Sequence, residues 1–250
     1  MNNWLNPDNK FFSFMGKAFD TIVLNTIWLL ICLPLPVLTI VWVGQTGIIW
    51  FLILTLLTLL PIVPATTALY YAIVKSVRKE RSYAVKEYFR SFARNFKQGS
   101  IFSLIAVGLI LILYIDFKYA FELMQAQSNS GSIYLGVFIV ITLLFSAMYM
   151  YVCPILSRFE MKTSGILKIA FVMAGRHLLT TVILLALAVG VLLGSYILLP
   201  GMFFLPAVAT LIASFLIEKV FKKYMPEKEE PEYDAAGEEI GQEKDEWYLE

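Results

Sequence analysis

The stretch Thr21–Val74, TIVLNTIWLLICLPLPVLTIVWVGQTGIIWFLILTLLTLLPIVPATTALYYAIV, decides the fold, because its 54 residues contain no Asp, Glu, Lys or Arg. One bilayer crossing takes about 20 apolar residues, so this stretch predicts two membrane-spanning helices and a turn. The turn falls at Gly44-Gln45-Thr46-Gly47, its one polar, glycine-paired segment. Working outward, three more uncharged blocks follow at 98–115, 125–157 and 177–217, and the last is broken by Pro200-Gly201. The expected fold class is therefore an all-α polytopic membrane helix bundle of six spans in three hairpins, at about 21–43, 48–74, 99–117, 133–156, 178–199 and 202–218.

Composition agrees. Of the 250 residues 59% are hydrophobic and 16% charged, against about 45–50% and 25% in soluble domains. A soluble enzyme, a nucleic-acid binder and a disulfide-stapled secreted domain all fit this balance poorly. The few charges set the orientation. With the N-terminus inside, the inner segments 1–20, 75–98, 157–177 and 219–250 hold 2, 8, 4 and 5 Lys+Arg, leaving only Lys118 outside. By the positive-inside rule this predicts cytoplasmic N- and C-termini. A cleaved signal peptide is not expected, since the first apolar block is too long and lacks a small-residue cleavage pattern. Cys32 and Cys153 lie in spans with no CxxC partner and read as buried apolar side chains.

The chain divides into a membrane domain, 1–223, with a net charge of +10, and an acidic tail, 224–250, with eleven Asp+Glu against Lys228 and Lys244. The tail's composition predicts disorder. Its −9 charge beside the basic loop at 75–97 invites contact, although a solvating tail that touches nothing is the competing expectation. In 82–97, Val85, Phe89, Phe92 and Phe96 share one helical face, with Lys86, Arg90, Arg94 and Lys97 on another. Such an amphipathic segment suits the inner headgroup layer and its anionic lipids. The N-terminal segment is similar, with Phe11, Phe12, Met15 and Phe19 beside Lys10 and Lys17. Topological anchoring and recognition of a cytoplasmic partner are both open for these charges. Val63-Pro64-Ala65 parallels Leu205-Pro206-Ala207, and each runs on to a basic exit; a hairpin repeat is one reading, and chance matching in apolar sequence is the preferred one.

No catalytic constellation is present. The one histidine, His177, has no acidic neighbour in sequence, and HExxH, GxSxG and Walker-type motifs are missing. No cofactor or metal ligand set is expected. Ionisable candidates fall at span boundaries, namely Asp20, Asp116, Lys118, Arg158 and Glu218, which disfavours a proton-coupled carrier. Lys118 and Glu122 have the spacing of a helical ion pair. Prolines near membrane depth keep a facilitator reading open, because broken helices expose backbone groups that can bind substrates. Its candidate site is Asn25, Pro64, Thr66 and Thr67. Gly190 and Gly194 form a GxxxG, a packing face within the chain or between chains.

Several motifs, in order, resemble those of the YesL-like bacterial membrane proteins. Asn25-Thr26-Ile27-Trp28-Leu29-Leu30 resembles the family's first span, and Pro64-Ala65-Thr66-Thr67-Ala68-Leu69-Tyr70-Tyr71, followed by Lys75 and Arg78, its second. Tyr83–Phe96 is similar to the first inner loop, and Tyr114-Ile115-Asp116 to the end of span 3. The likeness covers about residues 10–215, although the segment from Trp28 to Pro64 is longer than the family pattern. It implies a plasma-membrane protein of Gram-positive-type bacteria whose relatives occur beside carbohydrate uptake and degradation systems, and it implies no activity or catalytic residue. Two functional expectations follow. The first is a non-enzymatic accessory or regulatory component near a carbohydrate uptake system, touching a membrane transporter complex through Lys86, Phe89, Arg90, Phe92, Arg94 and Phe96. The second is a small permease with a proline-framed site. Partners expected in either case are the lipid bilayer and anionic inner-leaflet lipids, and no nucleic acid; the sequence leaves homo-oligomerisation undecided.

Overall fold

Charge does not break a helix; proline and glycine-rich turns do. The computed structural model, which describes residues 10–32, 59–79, 83–126 and 129–224, bears this out in its element lengths. The described residues are almost entirely helical and contain no strand. Helix α1 runs Lys10–Cys32, so the N-terminal basic segment and the start of the first span are one helix. Helix α2, Ile62–Ala72, continues into a π-helical turn at Ile73–Arg78. Helix α3, Ala84–Gln125, has 42 residues, about 63 Å at 1.5 Å per residue. That is roughly twice the hydrocarbon thickness of a bilayer. The expected amphipathic loop at 82–97 is therefore the first four turns of α3, collinear with the third span rather than a separate helix lying flat.

Helix α4 spans Asn129–Arg158 and keeps Pro154 within its last turns. Helix α5, Thr163–Arg176, is short, and α6, Leu178–Ile197, is almost wholly apolar. The expected break at Pro200-Gly201 is a 3-10 turn, Leu199–Phe203, ahead of α7, Leu205–Phe221. Among the described residues, four helical stretches are long and apolar enough to cross a bilayer: Phe14–Cys32, α3, Ser130–Arg158 and α6. Helix α7, with 17 residues, falls just short. The expected Gly44–Gly47 turn, Pro34 and Pro36, the first half of the second span and the acidic tail lie outside the described residues.

Helix α2 is the hub, with every residue buried except Ile62 and Thr66. It contributes to both cores. One joins Tyr70, Tyr71 and Val74 with Phe102, Tyr151, Ile155, Ile166, Ile217 and Phe221. The other joins Ala68, Leu69, Ala72 and Ile73 with Leu24, Tyr88 and Ala207. The approach of α3 to α2 is set by Gly99, where a Cβ would lie 2.9 Å from Pro64 Cδ and 3.0 Å from the Pro64 backbone.

The surface is inverted relative to a protein in water. Ile110, Leu111 and Ile112 of α3, Val140 and Leu144 of α4, and Leu192 and Leu193 of α6 are exposed. Asn25, Thr67, Glu87, Ser91, Asn95, Ser103, Thr181 and Ser214 are buried. Apolar area costs about 25 cal/mol per Å² in water, whereas lipid accepts it and instead penalises unpaired polar groups. This distribution suits a bilayer. At the end of the α3–α4 hairpin away from the basic residues, Phe117 faces Phe138 at 6.3 Å and Tyr119 faces Tyr134 at 6.2 Å, the kind of aromatic pairing found at membrane interfaces. There Lys118 and Glu122 form the expected exposed pair at 4.0 Å.

Candidate functional site

The prolines that begin α2 and α7 leave helix N-termini inside the bundle, and first-turn N–H groups have no partner within their own helix. Both are capped from elsewhere. Ser103 of α3 accepts from the Val63 N–H at 3.2 Å and donates to the Leu60 carbonyl at 2.9 Å. Asn25 of α1 accepts from the Ala207 N–H at 2.9 Å and donates to the Met202 carbonyl at 3.0 Å. The two capped N–H groups stand at different places in the parallel triplets, before Pro64 in Val63-Pro64-Ala65 and after Pro206 in Leu205-Pro206-Ala207. In each, a proline in the first helical turn sits beside an N–H received by a distant helix.

This geometry accounts for three of the four expected substrate-site residues. Asn25 is fully buried with both ends of its amide bonded. The Thr66 hydroxyl donates to the Ile62 carbonyl at 2.8 Å and accepts from the Trp28 indole at 3.1 Å. Pro64 is packed on Gly99, and Thr67 is buried beside Cys153. Asn25, Pro64 and Thr66 are thus engaged in joining helices.

The second group lies on the first turns of α3, where three stripes run side by side. The aromatic one is exposed at Phe89 (50%) and Phe96 (43%), with Phe92 partly buried and 5.4 Å from Phe96 between ring centres. The basic one, Lys86, Arg90, Arg94 and Lys97, is exposed. Arg94 lies 5.4 Å from the Tyr71 ring centre, within cation–π reach. The third stripe, Ala84, Glu87, Tyr88, Ser91, Asn95 and Gly99, is the one that packs inward. The sequence reading passed over it, although the same 3.6-residue period marks it as a row of small and polar residues.

Beneath this face lies a charge network that sequence position also concealed. The π-helical turn carries Lys75 and Arg78 toward the bundle. Lys75 Nζ is 3.4 Å from Glu87 Oε2, with both side chains nearly fully buried, and Arg90 reaches the same carboxylate at 3.9 Å. On the other side, Arg158 of α4 meets Glu218 of α7 at 2.5 Å, both enclosed. The Tyr70 hydroxyl donates to Glu218 Oε1 at 2.9 Å. Arg78 donates to the Ser214 carbonyl at 3.0 Å and lies 4.1 Å from the Phe215 ring centre. Burial lowers the Arg78 pKa, with Glu218 pulling the other way, and burial raises that of Tyr88. Arg158 and Glu218 read as boundary residues in sequence and are buried partners in the fold. An arginine ending one helix and a glutamate late in another were the available signal.

His177 bonds Tyr224 across 3.1 Å at the surface. Among the described residues no three His, Cys, Asp or Glu side chains gather as metal ligands. Gly194 packs on Leu205 within the chain, while Gly190 faces open space.

An all-α bundle with a lipid-suited surface, caps supplied between helices, and buried ion pairs below an aromatic and basic face defines the class. Residues 21–117 match the family model described as a protein of unknown function, DUF624. The chain is also 29% identical over 190 residues to the uncharacterized protein YesL of Bacillus subtilis (strain 168), across 74% of this chain and 87% of that one. The chain is thus similar, over most of its length, to an uncharacterised protein. No solved structure matches it.

Proposed function

We propose that this is a non-enzymatic, six-span protein of the bacterial plasma membrane, with cytoplasmic termini, that serves as an accessory or regulatory component of a carbohydrate uptake system. The distribution of nineteen of twenty basic residues supports the topology. The carbohydrate context comes from the family resemblance. The interaction reading is supported best by the exposure of Lys86, Phe89, Arg90, Arg94 and Phe96, while the opposite side of the same turns is locked into the bundle. Exposed aromatic and arginine side chains are the residue types that dominate protein–protein contacts. The permease alternative is weakened because Asn25 and Thr66 are occupied by interhelical hydrogen bonds.

Affinity purification from mild detergent tests this reading. Transporter subunits should co-purify with the intact chain, and the double substitution Arg90→Glu with Arg94→Glu should reduce their recovery at least severalfold while leaving insertion unchanged. Sugar uptake by the protein alone in proteoliposomes would overturn the accessory role. Inverted insertion of the double variant would reduce those arginines to topological anchors.

A further inference from the structure

The aromatic and basic face of α3 and the last described residue, Tyr224, lie at the same end of the bundle. Gln98, one turn beyond Arg94, donates to the Met161 carbonyl at 2.8 Å, just ahead of α5. Helix α5 has 14 residues, about 21 Å at 1.5 Å per residue. Past its end, His177 bonds Tyr224 at 3.1 Å. The path from Tyr224 back to Arg94 is therefore on the order of 30 Å by helix rise. The 26 residues that follow Tyr224 span about 39 Å if wholly helical and about 85 Å or more if extended, so either a helical or an extended segment is long enough to reach.

Chemistry matches reach. Residues 225–250 carry eleven acidic and two basic side chains, with Tyr233, Trp247, Tyr248 and Leu249 set among the acids. The α3 face presents Lys86, Arg90, Arg94 and Lys97 beside exposed Phe89 and Phe96. Lys162, Lys168 and Arg176 of the α5 region, with Lys219, Lys222 and Lys223, are also exposed at this end. Opposite charge and matching apolar content are the ingredients of a specific contact. An anionic leaflet would repel the same acidic segment.

We propose that residues 225–250 dock on the α3 face and cover it, so that a partner must displace the chain's own acidic segment to bind. This regulation rests on the reading of that face as a contact surface.

The test uses the full chain in detergent with an added cysteine at Ala93, which is exposed on the Lys86–Arg90–Lys97 side of α3. Its rate of modification by a neutral maleimide is compared with that in a chain lacking 226–250. Deletion should raise the rate severalfold at low salt, and the difference should vanish at about 1 M salt, where the screening length is about 3 Å. Trp247→Ala with Tyr248→Ala should give part of the rise. A cysteine at Ser130, at the opposite end of α4, should respond to neither change. Equal rates with and without the segment would overturn the proposal. So would protection that needs anionic phospholipid vesicles and is the same in both chains, which would assign the face to lipid. Partner recovery separates this proposal from the one beneath it. If Arg90→Glu with Arg94→Glu lowers recovery but deletion changes neither labelling nor recovery, the contact surface stands and the covering segment falls. If deletion changes labelling but charge reversal leaves recovery intact, the covering segment stands and the partner surface falls.

Discussion

At the residue scale, the buried polar side chains act as fasteners, and their contributions are measurable. Asn25→Ala removes the acceptor of the Ala207 N–H. A buried donor left without a partner costs about 1–3 kcal/mol, so the detergent-solubilised protein should melt measurably lower, while substitution at exposed Ser130 should leave the melting temperature unchanged. The Tyr70–Glu218 hydrogen bond is charge-assisted and buried, which predicts about 1.5–3 kcal/mol for Tyr70→Phe. Because the two residues act on one another, that cost should shrink in a Glu218→Gln background, and a double-mutant cycle in denaturant would read the coupling. Additive effects would remove Glu218 from the account of Tyr70.

At the element scale, the deciding contacts are glycine against proline and helix against helix. Gly99→Ala places a methyl group about 3 Å from the Pro64 backbone, and overpacking of this kind costs about 1–3 kcal/mol. Gly108, on the same helix, faces open space, so Gly108→Ala should be neutral or stabilise by up to about 1 kcal/mol. Thermal unfolding of the two variants side by side checks the pair, and equal effects would argue against close α2–α3 packing. Element positions among the described residues were largely legible in sequence, because hydrophobic blocks mark the apolar helices and Pro200-Gly201 marks a turn. Element lengths were not. Uncharged stretches mark only the apolar part of a helix, which continues through Lys, Arg and Glu with little penalty, so α1 and α3 extend well beyond their apolar parts. The π-helical turn left no sequence signal. It is seen only where Lys75 and Arg78 are drawn inward by partners on α3 and α7.

At the scale of the whole molecule, the charge pattern makes the topology testable. Cysteines placed at Lys118 and Lys168 should react with a membrane-impermeant reagent from opposite sides of intact cells, the first from outside. Labelling of both from one side would rule out the six-span arrangement. The candidate contact face was partly legible. Its aromatic and basic stripes follow the helical period, and both are exposed except at Phe92, which is partly buried. The inward stripe through Glu87 and Asn95 was missed, because polar residues at a membrane edge read as solvent-facing until the helix that covers them is known. Pairing of Arg158 with Glu218 was equally hidden, since 60 positions separate the two and they meet only in the core that α4 and α7 share with α2.

The bond between Asn25 and Ala207 also has a consequence in time. The two residues lie 182 positions apart, and at about 5–20 residues per second of synthesis the first helix waits roughly 10–40 s for the last to be made. Throughout that interval the groups that Asn25 bonds in the finished fold, Met202 and Ala207, do not yet exist. If membrane quality control reads such an amide, a chain halted before α7 is marked at its opposite end. Cellular half-lives of a chain stopped after residue 200, with and without Asn25→Leu, would measure this. The leucine variant should persist longer, and equal half-lives would show that the waiting amide goes unread.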